Sequence, residues 1–127
     1  MSAHNMQGKR VLVTGAGTGI GRGVALAFAG AGAEVVLHYS HSGDGAHSAV
    51  ESIRTAGGRA TAIQADFNDL AQVQGLCTQA LEFLGGVDVL VNNAGITMNK
   101  PFLEVTPEQF DTLYQVNVRG MFFATQA

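Results

Sequence analysis

The residues most suggestive of chemistry are Thr14-Gly15-Ala16-Gly17-Thr18-Gly19-Ile20-Gly21, which follow directly on the apolar run Val11-Leu12-Val13. After Gly19 the apolar residues take a helical spacing, at Ile20, Val24, Phe28 and Ala31. A helix therefore starts where the glycines end. A helix N-terminus offers unpaired N–H groups and the positive end of its dipole, both of which attract phosphate. Glycines let the backbone come close to a pyrophosphate. Taken alone, such a turn serves equally well as a ligand-free connection. Further candidates stand where apolar runs stop: Asp66 and Phe67 after one, Asn92-Asn93-Ala94-Gly95 after another. A carboxylate at a strand end can accept a ligand's hydrogen bond, although Asp66 also suits a turn ahead of Asn68-Asp69.

These residues need elements to position them. Lys9 to Thr14 reads as a strand, and its consecutive apolar residues suit burial on both faces. Gly30 and Gly32 end the first helix, and Glu34 to Tyr39 is a second strand. Ala46 to Ala56 is a helix stopped by Gly57-Gly58, and Arg59 to Gln64 is a third strand. Leu70, Val73, Cys77, Ala80 and Leu84 form a helical stripe closed by Gly85-Gly86, followed by a strand over Val87 to Val91. Thr106-Pro107-Glu108-Gln109 opens a last helix with a capping box and a proline at its first position. The order βαβαβαβα with tight glycine-containing turns predicts an α/β fold, a doubly wound parallel sheet with helices on both faces. Residues 1–8 read as a leader and 9–127 as one domain.

Spacing sorts the glycine turns. G-x-G-x-x-G fails because Ile20 stands at the last position, and no lysine completes a P-loop. Gly15, Gly17 and Gly19 fit the turn of class I methyltransferases, but that turn usually follows an acidic residue, whereas this one follows Val13-Thr14. Gly15, Gly19 and Gly21 fit T-G-x-x-x-G-x-G, the cofactor motif of short-chain dehydrogenases/reductases. Asn92-Asn93-Ala94-Gly95 resembles that family's N-N-A-G segment and has no place in a methyltransferase. Asn117 in Val116-Asn117-Val118-Arg119-Gly120 resembles its N-V-x-G element, and Asp66-Phe67 its aspartate step beside the adenine. The resemblance runs from Gly8 onward, and is nearest to the 3-oxoacyl-carrier-protein reductase and glucose dehydrogenase type.

The resemblance implies the N-terminal half of a Rossmann-type sheet, with strand order 3-2-1-4. It implies that Gly15, Thr18, Gly19, Ile20 and Gly21 hold the pyrophosphate of a nicotinamide dinucleotide. Asp66 would accept from the adenine amino group, with Phe67 against the ring. Asn93, Ala94 and Gly95 would border the ribose and nicotinamide, while Asn92 would lock neighbouring elements. Cofactor choice is read after the second strand, where NAD enzymes tend to carry an acid for the ribose hydroxyl. Here the run is His38-Tyr39-Ser40-His41-Ser42, with no acid before Asp44. Tyr39, Ser40 and Ser42 resemble the N-Y-x-x-S segment of NADP-preferring members, so NADP(H) is expected over NAD(H).

The family's chemistry is hydride transfer between nicotinamide and a carbonyl or alcohol carbon, so a small-molecule substrate is expected. Of its catalytic set, only the asparagine has a counterpart, Asn117. The Tyr-x-x-x-Lys pair is absent, because Gly43 and Val118 stand four residues after Tyr39 and Tyr114. The 127 residues alone are thus expected to bind cofactor weakly and not to turn over. The segment from Ile96 to Phe102 would line one wall of a substrate pocket. The fourth strand would lie at a sheet edge, and the last helix carries Phe110, Leu113, Val116, Phe122 and Phe123. Both features predict association, with a second copy or with a C-terminal half.

Composition bounds the alternatives. Seven Lys/Arg against ten Asp/Glu gives −3, with no basic cluster for nucleic acid. The single Cys77 lies on an apolar stripe and reads as a buried structural thiol. His4, His38, His41 and His47 show no metal-ligand spacing, and the last three read as surface residues. No apolar run reaches about 18 residues, and MSAHNMQGKR has no apolar signal core. A cytosolic setting is the expectation.

Overall fold

The apolar runs and helical stripes predicted from sequence form a parallel sheet with helices packed on both faces. The computed structural model describes residues 5–95 and 102–127. Strand β1 (Arg10–Val13) leads into helix α1 (Gly19–Gly30), β2 (Glu34–Tyr39) into α2 (Gly43–Thr55), and β3 (Ala60–Gln64) into α3 (Leu70–Leu84). Then follow β4 (Val89–Val91), a short 3-10 turn over Phe102–Glu104, α4 (Pro107–Tyr114), a π-helical stretch Gln115–Gly120, and α5 (Met121–Gln126). The strands lie in the order β3-β2-β1-β4. In parallel register Val11 stands opposite Val35 on one side and Val89 on the other. This is the order that the family resemblance implied.

Strand alternation divides the core. Val11, Val13, Val35 and Leu37 face one side, where they pack with Ala25, Ala49, Val50 and Ile53. Leu12, Val36 and Ile63 face the other, against Val73, Leu76, Cys77, Ala80 and Leu84. Burial on both faces is why β1 and β2 are nearly uninterrupted apolar runs. Cys77 is buried as expected: its Sγ lies 3.7 Å from the Ala124 carbonyl oxygen, and burial pushes its thiol pKa up.

Ion pairing and capping fix two ends of this framework. Arg10 forks onto Asp88, with Nε 3.0 Å from Oδ2 and Nη2 3.1 Å from Oδ1, joining the entries of β1 and β4. That hydrogen bonding holds the Asp88 carboxyl down at about 2. At α4, the Thr106 side chain accepts from the Gln109 N–H at 3.2 Å, and the Gln109 side chain accepts from the Thr106 N–H at 3.0 Å. The predicted capping box is therefore present. Thr106→Ala is expected to cost about 1 kcal/mol in denaturant unfolding, and a change within error of zero would contradict this role.

Two elements differ from the sequence reading. Helix α2 begins at Gly43, not Ala46. Asp44 sits in its first turn, where a carboxylate favours the helix dipole and offsets the low propensity of the flanking glycines. The last helix is not continuous, because Gln115–Gly120 winds as a π-helix between α4 and α5. Among the described residues no helix is long and apolar enough to cross a membrane, and no group of acids, histidines and cysteines could hold a metal.

Candidate functional site

Parallel strands send all their carboxyl ends to one edge, so the loops after β1, β2, β3 and β4 converge there. Between them lies an open cleft of about 560 Å³. Its walls include Gly15, Gly17, Thr18, Gly19 and Ile20 from the first loop and Tyr39, Ser40, His41 and Ser42 from the second. Asp66, Phe67 and Asn68 come from the third, and Asn93, Ala94 and Gly95 from the fourth. The predicted cofactor residues thus meet around one space, apart from Gly21, which is buried directly beneath it at the start of α1.

The glycine turn is built by exclusion. Gly15 takes φ +64°, and a Cβ there would stand 2.9 Å from Ala94 Cα. A Cβ on Gly21 would run into the Gly15 carbonyl oxygen and the Asn93 amide. Gly19, by contrast, has φ +56° and nothing within 4 Å of where a Cβ would be. The turn is thus packed tight beneath and open at Gly19. Thr18 is the N-cap of α1, and its side chain makes no capping hydrogen bond. The first N–H groups of a helix have no carbonyl partner within it, and here they front the cleft.

Thr14 couples this turn to the fourth loop. It is fully buried; its Oγ1 donates to the Val91 carbonyl at 3.2 Å and accepts from the N–H groups of Asn93 and Ala94, each at 3.0 Å. The Asn93 side chain donates back to the Gly15 carbonyl at 3.0 Å. Asn92 donates to Thr125 Oγ1 at 3.0 Å, tying the end of β4 to α5. Both asparagine amides therefore brace the site.

At the far end, Asp66 Oδ1 accepts from the Asn68 N–H at 2.9 Å, so the turn role foreseen for Asp66 is real and occupies one carboxylate oxygen. Phe67 is buried and its ring stacks on His38, with centroids 4.6 Å apart. In the second loop the Tyr39 hydroxyl lies 3.3 Å from His47 Nε2, and Gln64 donates to the Ser40 carbonyl. Arg22, from the first turn of α1, donates to the Gly45 carbonyl at 3.1 Å and to Ser48 at 3.0 Å, pinning the start of α2 beside Ser42. Among the described residues that line the cleft, Asp66 is the only carboxylate.

Asn117 lies within the π-helical stretch, its Oδ1 3.2 Å from where a Cβ on Gly95 would stand. A π-turn shifts the residues after it around the helix and recurs at functional sites. Of the pocket wall expected between Ile96 and Phe102, residues 96–101 lie outside the described residues.

One expectation is overturned. His38 is not a surface residue: it is 1% exposed, on the same face of β2 as Val36. Its Nδ1 accepts from the Gly15 N–H at 2.9 Å and its Nε2 lies 2.8 Å from the Ala65 carbonyl oxygen. Strand alternation carried the signal, since position 38 falls two residues after a core valine. Thr14 opens the glycine motif in sequence, but its bracing of the Asn93–Ala94 backbone is a tertiary contact that spacing does not show.

The parallel order β3-β2-β1-β4, helices on both faces and a glycine turn at the carboxyl edge define a Rossmann-type α/β fold. The chain belongs to the short chain dehydrogenase family, whose model matches residues 9–127. It is 42% identical over 123 residues to versicolorin reductase 1 of Aspergillus parasiticus, covering 97% of this chain and 47% of that protein. Among solved structures it resembles a short chain dehydrogenase of Burkholderia cenocepacia in complex with NADP, with TM-score 0.93 and 41% identity, over 96% of this chain and 50% of that one. It also resembles a blue fluorescent protein from a metagenomic library in complex with NADPH, with TM-score 0.93 and 42% identity, over 97% of this chain and 51% of that one. The chain spans about half the length of the curated relatives it matches.

Proposed function

We propose that the cleft binds a nicotinamide dinucleotide, NADP(H) in preference to NAD(H), and that the chain is the cofactor-binding half of an oxidoreductase acting on a small carbonyl or alcohol substrate. The observation that carries this reading is the uncapped N-terminus of α1 beneath a turn that is tightly packed at Gly15 and Gly21 yet open at Gly19. Gly15, Thr18, Gly19, Ile20 and Gly21 hold the pyrophosphate through backbone N–H groups and the helix dipole. Asp66 accepts from the adenine amino group, and Phe67 supports that end from the core. Asn93, Ala94 and Gly95 border the ribose and nicotinamide half. Asn117 stands beside Gly95 as the catalytic-set residue present in this chain.

When bound, the nicotinamide supplies the hydride. This chain's residues orient it and exclude misplacement, while Tyr39, Ser40 and Ser42 receive the 2′-phosphate. No carboxylate stands at the end of β2 to repel that phosphate, and hydroxyls can donate to it. The complexes of the Burkholderia and metagenomic relatives with NADP and NADPH support the same preference. Fluorescence titration tests it: NADPH is expected to bind roughly tenfold or more tightly than NADH. Equal or tighter NADH binding contradicts the preference, and binding of neither contradicts the reading.

Phe110, Tyr114, Val118 and Phe122 recur at four-residue intervals and are all exposed. This stripe supports association of the chain with a second copy or with a C-terminal half, in which large apolar groups would leave water.

A further inference from the structure

His38 and Thr14 are the buried polar side chains among the described residues, and only His38 can change charge near neutral pH. Its two ring nitrogens face different loops. Because the Gly15 N–H donates to Nδ1 at 2.9 Å, the ring proton sits on Nε2, which donates to the Ala65 carbonyl at 2.8 Å. The Ala16 N–H adds a bond of 2.7 Å to the His38 backbone carbonyl. One side chain therefore spans from the first glycine of the turn to the residue preceding Asp66. These are the two loops assigned above to the pyrophosphate and the adenine.

We propose that His38 is a positioning residue that fixes the glycine turn against the β3–α3 loop, and that a proton on its Nδ1 releases the turn, so that dinucleotide affinity falls in mildly acid solution. The proposal rests on the dinucleotide reading of the cleft. Protonated Nδ1 would point an N–H at the Gly15 N–H, donor against donor. Gly15 has little room to retreat, being packed against the Ala94 backbone with its carbonyl held by Asn93. The binding-competent form is thus the neutral imidazole.

The surroundings favour that form. Burial pushes the imidazole pKa below its ordinary 6.5, with the Ala65 carbonyl opposing. The 14–21 turn carries no titratable side chain. The β3–α3 loop brings Asp66, whose Oδ1 is engaged by Asn68, and the π-helical stretch brings Arg119, which donates to the Asn68 carbonyl. α3 brings Cys77, with its thiol pKa raised, and His38's own segment brings Tyr39 and His41 at the rim. Full affinity is therefore present above the ordinary imidazole range and is lost as pH falls through the lowered value.

Two variants separate the two bonds. The amide oxygen of His38→Asn can accept from Gly15 without titrating, whereas His38→Gln can reach Ala65 but not Gly15. NADPH titrations of the intact protein between about pH 8 and about pH 5 should show wild type losing roughly tenfold more affinity than His38→Asn. The cofactor's own phosphates titrate equally in both and cancel. His38→Gln should bind more weakly than His38→Asn throughout. In wild type, nitrogen NMR should show Nδ1 unprotonated at neutral pH, with the Gly15 amide resonance moving in step with the loss of affinity. Parallel wild-type and His38→Asn profiles, or a Gly15 amide indifferent to pH, overturn this proposal alone. Absence of NADPH binding by wild type at every pH overturns the dinucleotide reading and this proposal with it.

Discussion

Replacing Gly21 with alanine is expected to abolish measurable NADPH binding and to lower unfolding stability by about 2–4 kcal/mol. The added methyl would run into the Gly15 carbonyl oxygen and the Asn93 amide nitrogen. The carbonyl is backbone and cannot swing aside as a flexible side chain would. Gly15 is itself confined, at φ +64° and packed against the Ala94 backbone. The strain must then move the whole turn, displacing the N–H groups that face the cleft. Gly23, two residues on, is the internal control. A Cβ there meets nothing within 4 Å, so Gly23→Ala should stabilise α1 by about 0.5–1 kcal/mol and leave NADPH affinity unchanged. Denaturant melts and NADPH titrations on the two variants provide the contrast. Wild-type stability and affinity in Gly21→Ala would show that the turn is not the rigid cradle described.

Thr14→Val is expected to cost about 2–4 kcal/mol, although it keeps the shape and burial of the side chain. The hydroxyl serves three backbone groups: the Val91 carbonyl and the N–H groups of Asn93 and Ala94. The Asn93 N–H retains a bond of 3.1 Å to the Val91 carbonyl, but the Ala94 N–H loses its acceptor at a part-buried site. Leaving a donor unsatisfied costs more than the net worth of the bond that was made. The Asn93–Gly95 loop should loosen as well, weakening NADPH binding. Thr14→Ser restores the hydroxyl and should recover most of both losses. A valine variant as stable as wild type, with the serine variant less stable, would reverse the assignment and make the methyl group the important part.

The fold was readable where burial alone decides. Val11-Leu12-Val13 and Val35-Val36-Leu37 announced strands covered on both faces, because a one-sided strand would alternate. The capping box at Thr106 and Gln109 was legible because it is chemistry between near neighbours in sequence. The convergence of the glycine turn, Asp66 and Asn93–Gly95 on one cleft follows from parallel topology, which brings every strand's carboxyl end to one edge.

What was missed depends on tertiary partners. His38 looked solvated because its neighbours Tyr39, Ser40 and His41 are polar, yet alternation turns it inward beside Phe67. Thr14 reads as the first residue of the glycine motif, and its bracing role appears only when β4 lies alongside β1 and delivers the Asn93 and Ala94 amides. Sequence alone starts α2 late, at Ala46, because Gly43 and Gly45 are poor helix formers. Gly45 is required there by the Gly17 carbonyl, into which a Cβ would run. The π-helical turn around Asn117 carries no periodic signature distinguishable from an ordinary helix over so few residues.

Backbone amide shifts of the protein, mapped as NADPH is added, test whether the cleft binds a dinucleotide. The largest shifts are expected on residues 15–21, 39–42, 66–68 and 93–95 together, since one bound NADPH must touch all four loops. A shift map centred instead on the apolar groove between α3, β4 and α5, around Cys77, Leu81 and Thr125, with the glycine turn unmoved, would contradict it.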